Sequence, residues 1–136
     1  MTRRSRAREV ALQILFQDDL NPPELPARSQ DFLRSRLNAP ELVEFAQSLI
    51  DGVRRNRAEL DQLLAQTAAN WSLERMATTD RNVLRLGTYE ILYTETPGRV
   101  AINEAVELAK RFGSAQSAQF VNGILDKFLA GHREGP

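Results

Sequence analysis

Val100-Ala101-Ile102-Asn103-Glu104-Ala105-Val106-Glu107-Leu108-Ala109-Lys110-Arg111-Phe112-Gly113 is the stretch from which the fold class is read. Ala101, Ala105, Leu108 and Phe112 recur at spacings of four, three and four, which is one face of a 3.6-residue period. Asn103, Glu107 and Lys110 fall on the other side. The spacing predicts a helix over 100–112, with Gly113 where a left-handed C-terminal cap would sit. The following block, Phe120-Val121-Asn122-Gly123-Ile124-Leu125-Asp126-Lys127, repeats the pattern: Val121, Ile124, Leu125 and Phe128 face inward, and Ser114 or Ser117 supplies an N-cap.

Working outward, the same period returns along the chain and no strand signal does. Helices are expected over about 4–20, 27–37, 41–55, 57–69, 79–94, 100–112 and 117–129. The first carries Ala7, Val10, Ala11 and Ile14 on one stripe, widened by Leu12, Leu15 and Phe16, and Asn21-Pro22-Pro23 stops it because proline has no amide donor. Leu42, Phe45, Leu49 and Val53 mark the third, with a break expected near Asn56 before Leu60, Leu63 and Leu64. Trp71 to Met76 reads as a short helical turn capped by Ser72. The helix over 79–94 has apolar positions well beyond one stripe, so it is expected to be the most buried. Residues 131–136 are expected to fray. The fold class is therefore all-α, about seven helices with short connections, in a single domain over 1–136.

Composition narrows the function classes. There is no Cys, which removes disulfides, thiolate metal sites and a cysteine nucleophile, and the one His, His132, lies in a polar tail. No apolar run is long enough to span a bilayer and no signal-peptide pattern opens the chain, so a soluble, cytoplasmic protein is expected. Glu104 and Glu107 are three apart but face no partner set, so neither catalytic residues nor a metal or cofactor site are expected. Glu107 pairs better with Lys110 or Arg111 on the helix surface. Asn122-Gly123 lies mid-helix, where glycine costs about 1 kcal/mol relative to alanine, and is read as a close helix approach.

Net charge is zero, yet Arg3, Arg4, Arg6 and Arg8 crowd the chain start with no acid before Glu9. Cations at a helix N-terminus oppose the macrodipole by about 0.3–1 kcal/mol each, a penalty that a bound phosphate relieves. The alternative is a solvated basic end. Phosphate contacts give affinity and salt dependence but little sequence reading, which instead needs bases stacked on aromatic rings. Phe16 and Phe120 are the ring candidates, with Gln116 and Gln119 beside the latter for base edges; Phe112 is assigned to the core.

Taken together, Arg99 to Gly113, Phe120 to Lys127, Asp80 to Leu92 and the arginine-studded opening closely resemble the NusB family of transcription antitermination factors, in order and over nearly the whole chain. The resemblance implies two small helical bundles packed as one domain, and an RNA-binding arginine-rich segment at Arg3, Arg4, Arg6 and Arg8. It implies binding to the boxA element of nascent ribosomal RNA, a single-stranded target, together with the small-subunit ribosomal protein NusE. Other Nus factors and RNA polymerase join indirectly, and some family members form homodimers. Asp80, Arg81, Arg85, Tyr89 and Glu90 are the candidate partner contacts that it implies. The same fold also serves as an N-terminal domain of a ribosomal RNA cytosine methyltransferase. That alternative predicts a further catalytic domain with a cysteine nucleophile, which these 136 residues do not contain. A generic helical RNA-binding module is the remaining alternative.

Overall fold

The computed structural model describes residues 3–21, 26–68 and 70–132. Among them are α1 (Arg3–Leu20), α2 (Pro26–Arg36), α3 (Pro40–Thr67), a 3-10 turn (Leu73–Arg75), α4 (Thr78–Tyr93), α5 (Gly98–Phe112) and α6 (Ser117–His132), and no strand. The chain divides into two compact units, Met1–Arg55 and Asn56–Pro136. The residues of α3 contribute to both.

In the first unit α1 buries the expected stripe of Ala7, Val10, Ala11 and Ile14, with Leu12 and Leu15 beside it. Leu33 from α2 and Leu42, Ala46, Leu49, Ile50 and Val53 from α3 supply the rest of this core. Arg54 fastens it: its Nε and Nη2 donate to the two carboxylate oxygens of Asp18 at 2.7 and 2.9 Å, and Nη2 also reaches Ser29 Oγ at 3.4 Å. The hydrogen bonds Arg54 donates to Asp18 raise its pKa above the usual value against the opposing effect of burial.

The second unit is built around α4, in which residues 82–88 are all buried. Helices α4, α5 and α6 pack pairwise. Gly87 makes the closest approach: a Cβ there would sit 2.8 Å from Leu125 Cδ1 and 3.4 Å from Ala105 Cβ. Arg85 holds α4 to α3 through a bidentate pair with Asp61, at 2.6 and 2.9 Å, and its Nη1 donates to Asn82 Oδ1.

Several expectations change in detail. The break near Asn56 is absent, because asparagine's helix penalty of at most about 0.7 kcal/mol is small beside the burial of Val53 and Leu60 on either side. Gly113 is extended (φ −96°, ψ −166°) rather than left-handed; a side chain there would press on Ser117 and on the carbonyl oxygen of Ala109. Ser117 Oγ accepts from the Ser114 amide at 2.8 Å, closing the turn that leads into α6. The close approach assigned to Gly123 is also corrected. Nothing lies within 4 Å of a Cβ built there, and the neighbouring Asn122 donates to Asp126 in its own helix. Phe112 is 38% exposed instead of buried, because α5 ends at it. Helix α6 continues to His132, whose ring stacks on Phe128 at 4.1 Å. The Pro22-Pro23 stop and residues 133–136 lie outside the described residues.

Candidate nucleic-acid interface

The four N-terminal arginines separate into two kinds. Arg3 and Arg4 are exposed; Arg3 Nη2 pairs with Glu41 at 3.2 Å where both side chains are about two-thirds exposed (67% and 65%), a contact of little net worth in water. The Arg4 guanidinium lies 4.4 Å from the Phe45 ring centroid, held flat by a cation–π contact. Arg8 turns inward, and Arg6 pairs with a buried acid while its own side chain stays 43% exposed. Arg6 Nη1 is 3.0 Å from Glu9, whose side chain is 3% exposed, so this guanidinium neutralises a buried carboxylate. Arg8 is 4% exposed and packs over the same Phe45 ring at 5.1 Å. Helix periodicity sends positions 3 and 4 to the surface but rotates 8 onto the stripe of Ala7 and Ala11. The first turn of α1 carries no acidic residue to answer its positive end. Phe16, farther along α1, is half-buried.

In the second unit Gln116 and Gln119 are exposed and Phe120 is half-buried in the first turn of α6. Phe120 does not stand alone. The Trp71 ring meets it edge-to-face, with centroids 5.0 Å apart and planes at 75°. Trp71 is 58% exposed and was not singled out as a site residue from the sequence. The available signal was a tryptophan between Asn70 and Ser72, in a polar loop that offers it no apolar stripe to join.

The candidate partner contacts also divide. Asp80, in the first turn of α4, is partly exposed, and its Oδ1 is buried without a hydrogen-bond partner among the described residues. Arg81 is half-buried and its Nη1 donates to the Leu73 and Met76 carbonyls at 2.8 and 3.3 Å, fastening the 3-10 turn to α4. Tyr89 is half-buried with its ring 5.5 Å from Tyr93, an exposed side chain whose hydroxyl donates to Glu59. Arg85 and Glu90 are 3% and 1% exposed, so the structure gives them packing positions instead of a contact surface. The family resemblance placed them with Asp80 and Tyr89, but the helix is enclosed at those angles.

Among the described residues no three His, Asp or Glu side chains gather into a metal-ligating group. No helix is long and apolar enough to cross a membrane. What the surfaces define is a class of all-helical chain with guanidinium groups at one helix start and rings and amides at another.

Comparison with known proteins gives the family. The model of the NusB family matches residues 5–130. A transcription antitermination protein NusB from Anaeromyxobacter dehalogenans is 44% identical over 131 residues, 96% of this chain and 92% of that protein. NusB of T. maritima is similar in structure, with a TM-score of 0.84, 37% identity, and coverage of 98% of this chain and 94% of that one. NusB solved together with NusE and double-stranded RNA is equally similar in fold, with a TM-score of 0.84 at 27% identity over 97% of this chain and 99% of that one. The chain belongs to the NusB family.

Proposed function

We propose that this chain is a transcription antitermination factor that works by binding and not by turnover. It pairs with a NusE-type ribosomal protein, and the pair holds boxA RNA as the nascent transcript leaves RNA polymerase in the cytoplasm. The other Nus factors and the polymerase are engaged through that complex. The whole chain is taken to act as one RNA-binding domain, each unit offering its own contact.

One observation carries the reading: Arg3 and Arg4 hold exposed guanidinium groups at the start of α1, whose first turn carries no acidic residue. Phosphate answers both the side chains and the helix dipole. The weak Arg3–Glu41 pair is easily exchanged for such an anion. Arg6, partly exposed beside Glu9, is a further phosphate contact, and Arg8 supports this surface from within by packing on Phe45. Gln116, Gln119 and Phe120 supply base contacts, with Phe16 a weaker candidate. Asp80, Arg81 and Tyr89 are the partner contacts proposed on α4; Arg85 and Glu90 hold the helix that presents them. A modest RNA surface gains affinity here because the partner adds its own and the RNA is tethered to the polymerase.

The test is binding of labelled boxA RNA and a scrambled control, with and without the NusE-type protein, over a salt series. Binding that prefers boxA and is enhanced by the partner is the expected result. Equal binding to both RNAs, unmoved by the partner, would reduce the chain to a generic basic module.

A further inference from the structure

The largest exposed apolar side chain is Trp71, at 58%, and it is held in place by Phe120. Edge-to-face is one of the two arrangements that aromatic pairs prefer. Trp71 stands nearly perpendicular to the second ring, at 75° and 5.0 Å. Two perpendicular rings make a corner: a flat group lying on one ring has its rim against the other. Such a corner suits one planar group.

The surroundings select the chemistry of that group. From Phe112 to Leu125 the sequence carries no charged residue and Lys110 and Arg111 just before it are exposed, while on the Trp71 side the exposed Glu74 is followed by the exposed Arg75. Gln116 and Gln119, exposed at the same end of α6 as Phe120, offer both donors and acceptors. Rings for a flat face, amides for an edge and flanking cations for a backbone are the parts that single-stranded nucleic acid requires. We propose that Trp71 is a base-stacking residue, forming with Phe120 a two-ring seat for one unstacked RNA base. The proposal rests on the RNA-binding reading above and adds to it a residue that decides how bases, rather than phosphates, are held. Because Phe120 already fixes the indole, little side-chain freedom is lost on binding.

Trp71 is the chain's one tryptophan, so its emission reports the seat directly. The full chain, with its NusE-type partner bound and the partner's signal subtracted, is titrated with labelled single-stranded boxA RNA. Copies lacking one base at a time and a fully base-paired duplex of the same sequence are run alongside. Label anisotropy reads binding and Trp71 emission reads stacking. The expected result is quenching by the single strand and none by the duplex. Trp71→Leu should weaken the intact strand by about 5-fold or more, the low end for a base–aromatic stack, and Trp71→Phe should recover most of it. One abasic strand should bind wild type and Trp71→Leu equally, since the base that would occupy the seat is missing. Anisotropy that rises while emission stays constant overturns this inference and leaves the RNA reading standing. Loss by Trp71→Leu that is the same for every abasic strand also overturns it, because the residue then only supports the fold. Absence of binding to any RNA overturns both.

Discussion

Each unit is locked by one bidentate arginine–carboxylate pair, but the buried partner is opposite in the two. In the first unit the carboxylate is the enclosed member: Asp18 is 8% exposed and Arg54 20%. In the second the guanidinium is enclosed: Arg85 is 4% exposed and Asp61 30%. The contrast extends to the surfaces. The first unit shows charge, through Arg3 and Arg4; the second shows rings and amides, through Trp71, Phe120, Gln116 and Gln119. Arginine frequency alone therefore says little about role. Sixteen of the eighteen basic residues are Arg, and Arg6, Arg8, Arg54 and Arg85 all serve packing or internal pairing.

The largest effect should come from orphaning the buried member of each lock. Arg54→Ala and Asp61→Ala should each lower the free energy of unfolding by about 3 kcal/mol, since each takes from an enclosed charge its bidentate ionic partner. Arg85→Met should lose only about 1 kcal/mol, because the new side chain fills the slot and the abandoned Asp61 reaches solvent and Arg57, 4.0 Å away. Chemical denaturation decides this. Equal losses for Arg85→Met and Asp61→Ala would erase the asymmetry drawn between the units.

Next in size is Gly87→Ala, expected to destabilise by about 1–3 kcal/mol as the new Cβ drives Leu125 aside. A thermal melt unchanged by that substitution would mean that the α4–α6 contact is looser than it looks.

On the binding side, Arg3→Ala with Arg4→Ala should weaken boxA binding about 10-fold at low salt, and should flatten the slope of log affinity against log salt by about 1–2, as for two lost phosphate contacts. Trp71→Leu should leave that slope alone. If both variants change the slope equally, the division into a charged and an aromatic surface fails.

The smallest effect is at Gly123, where alanine should gain about 0.5–1 kcal/mol, because the position is open and the helix loses only glycine's flexibility. A loss of stability there would reveal a neighbour that the structure does not have.

Much of the fold could be read from periodicity because a helix repeats its own geometry: Ala101, Ala105 and Leu108, or Val121, Ile124, Leu125 and Phe128, declare a buried face without reference to any neighbour. The same local reasoning misjudged Gly123 and gave no reading of Gly87. Gly87 touches Leu125 and Ala105, from helices nearly twenty and forty residues on, while Gly123 touches nothing. A glycine's cost is written in its own backbone, but its reason lies in whatever crosses it.

The site was legible to a similar depth. The sequence alone determined the helical class, the basic start of α1 and the aromatic start of α6, since composition and spacing are properties of consecutive residues. Only the tertiary structure decided which arginines are free to meet an anion, that Arg85 and Glu90 are enclosed, and that Trp71 stands against Phe120 across forty-nine residues of chain. Burial and ring contact depend on what other segments bring to the same place, and no window on one segment contains that information.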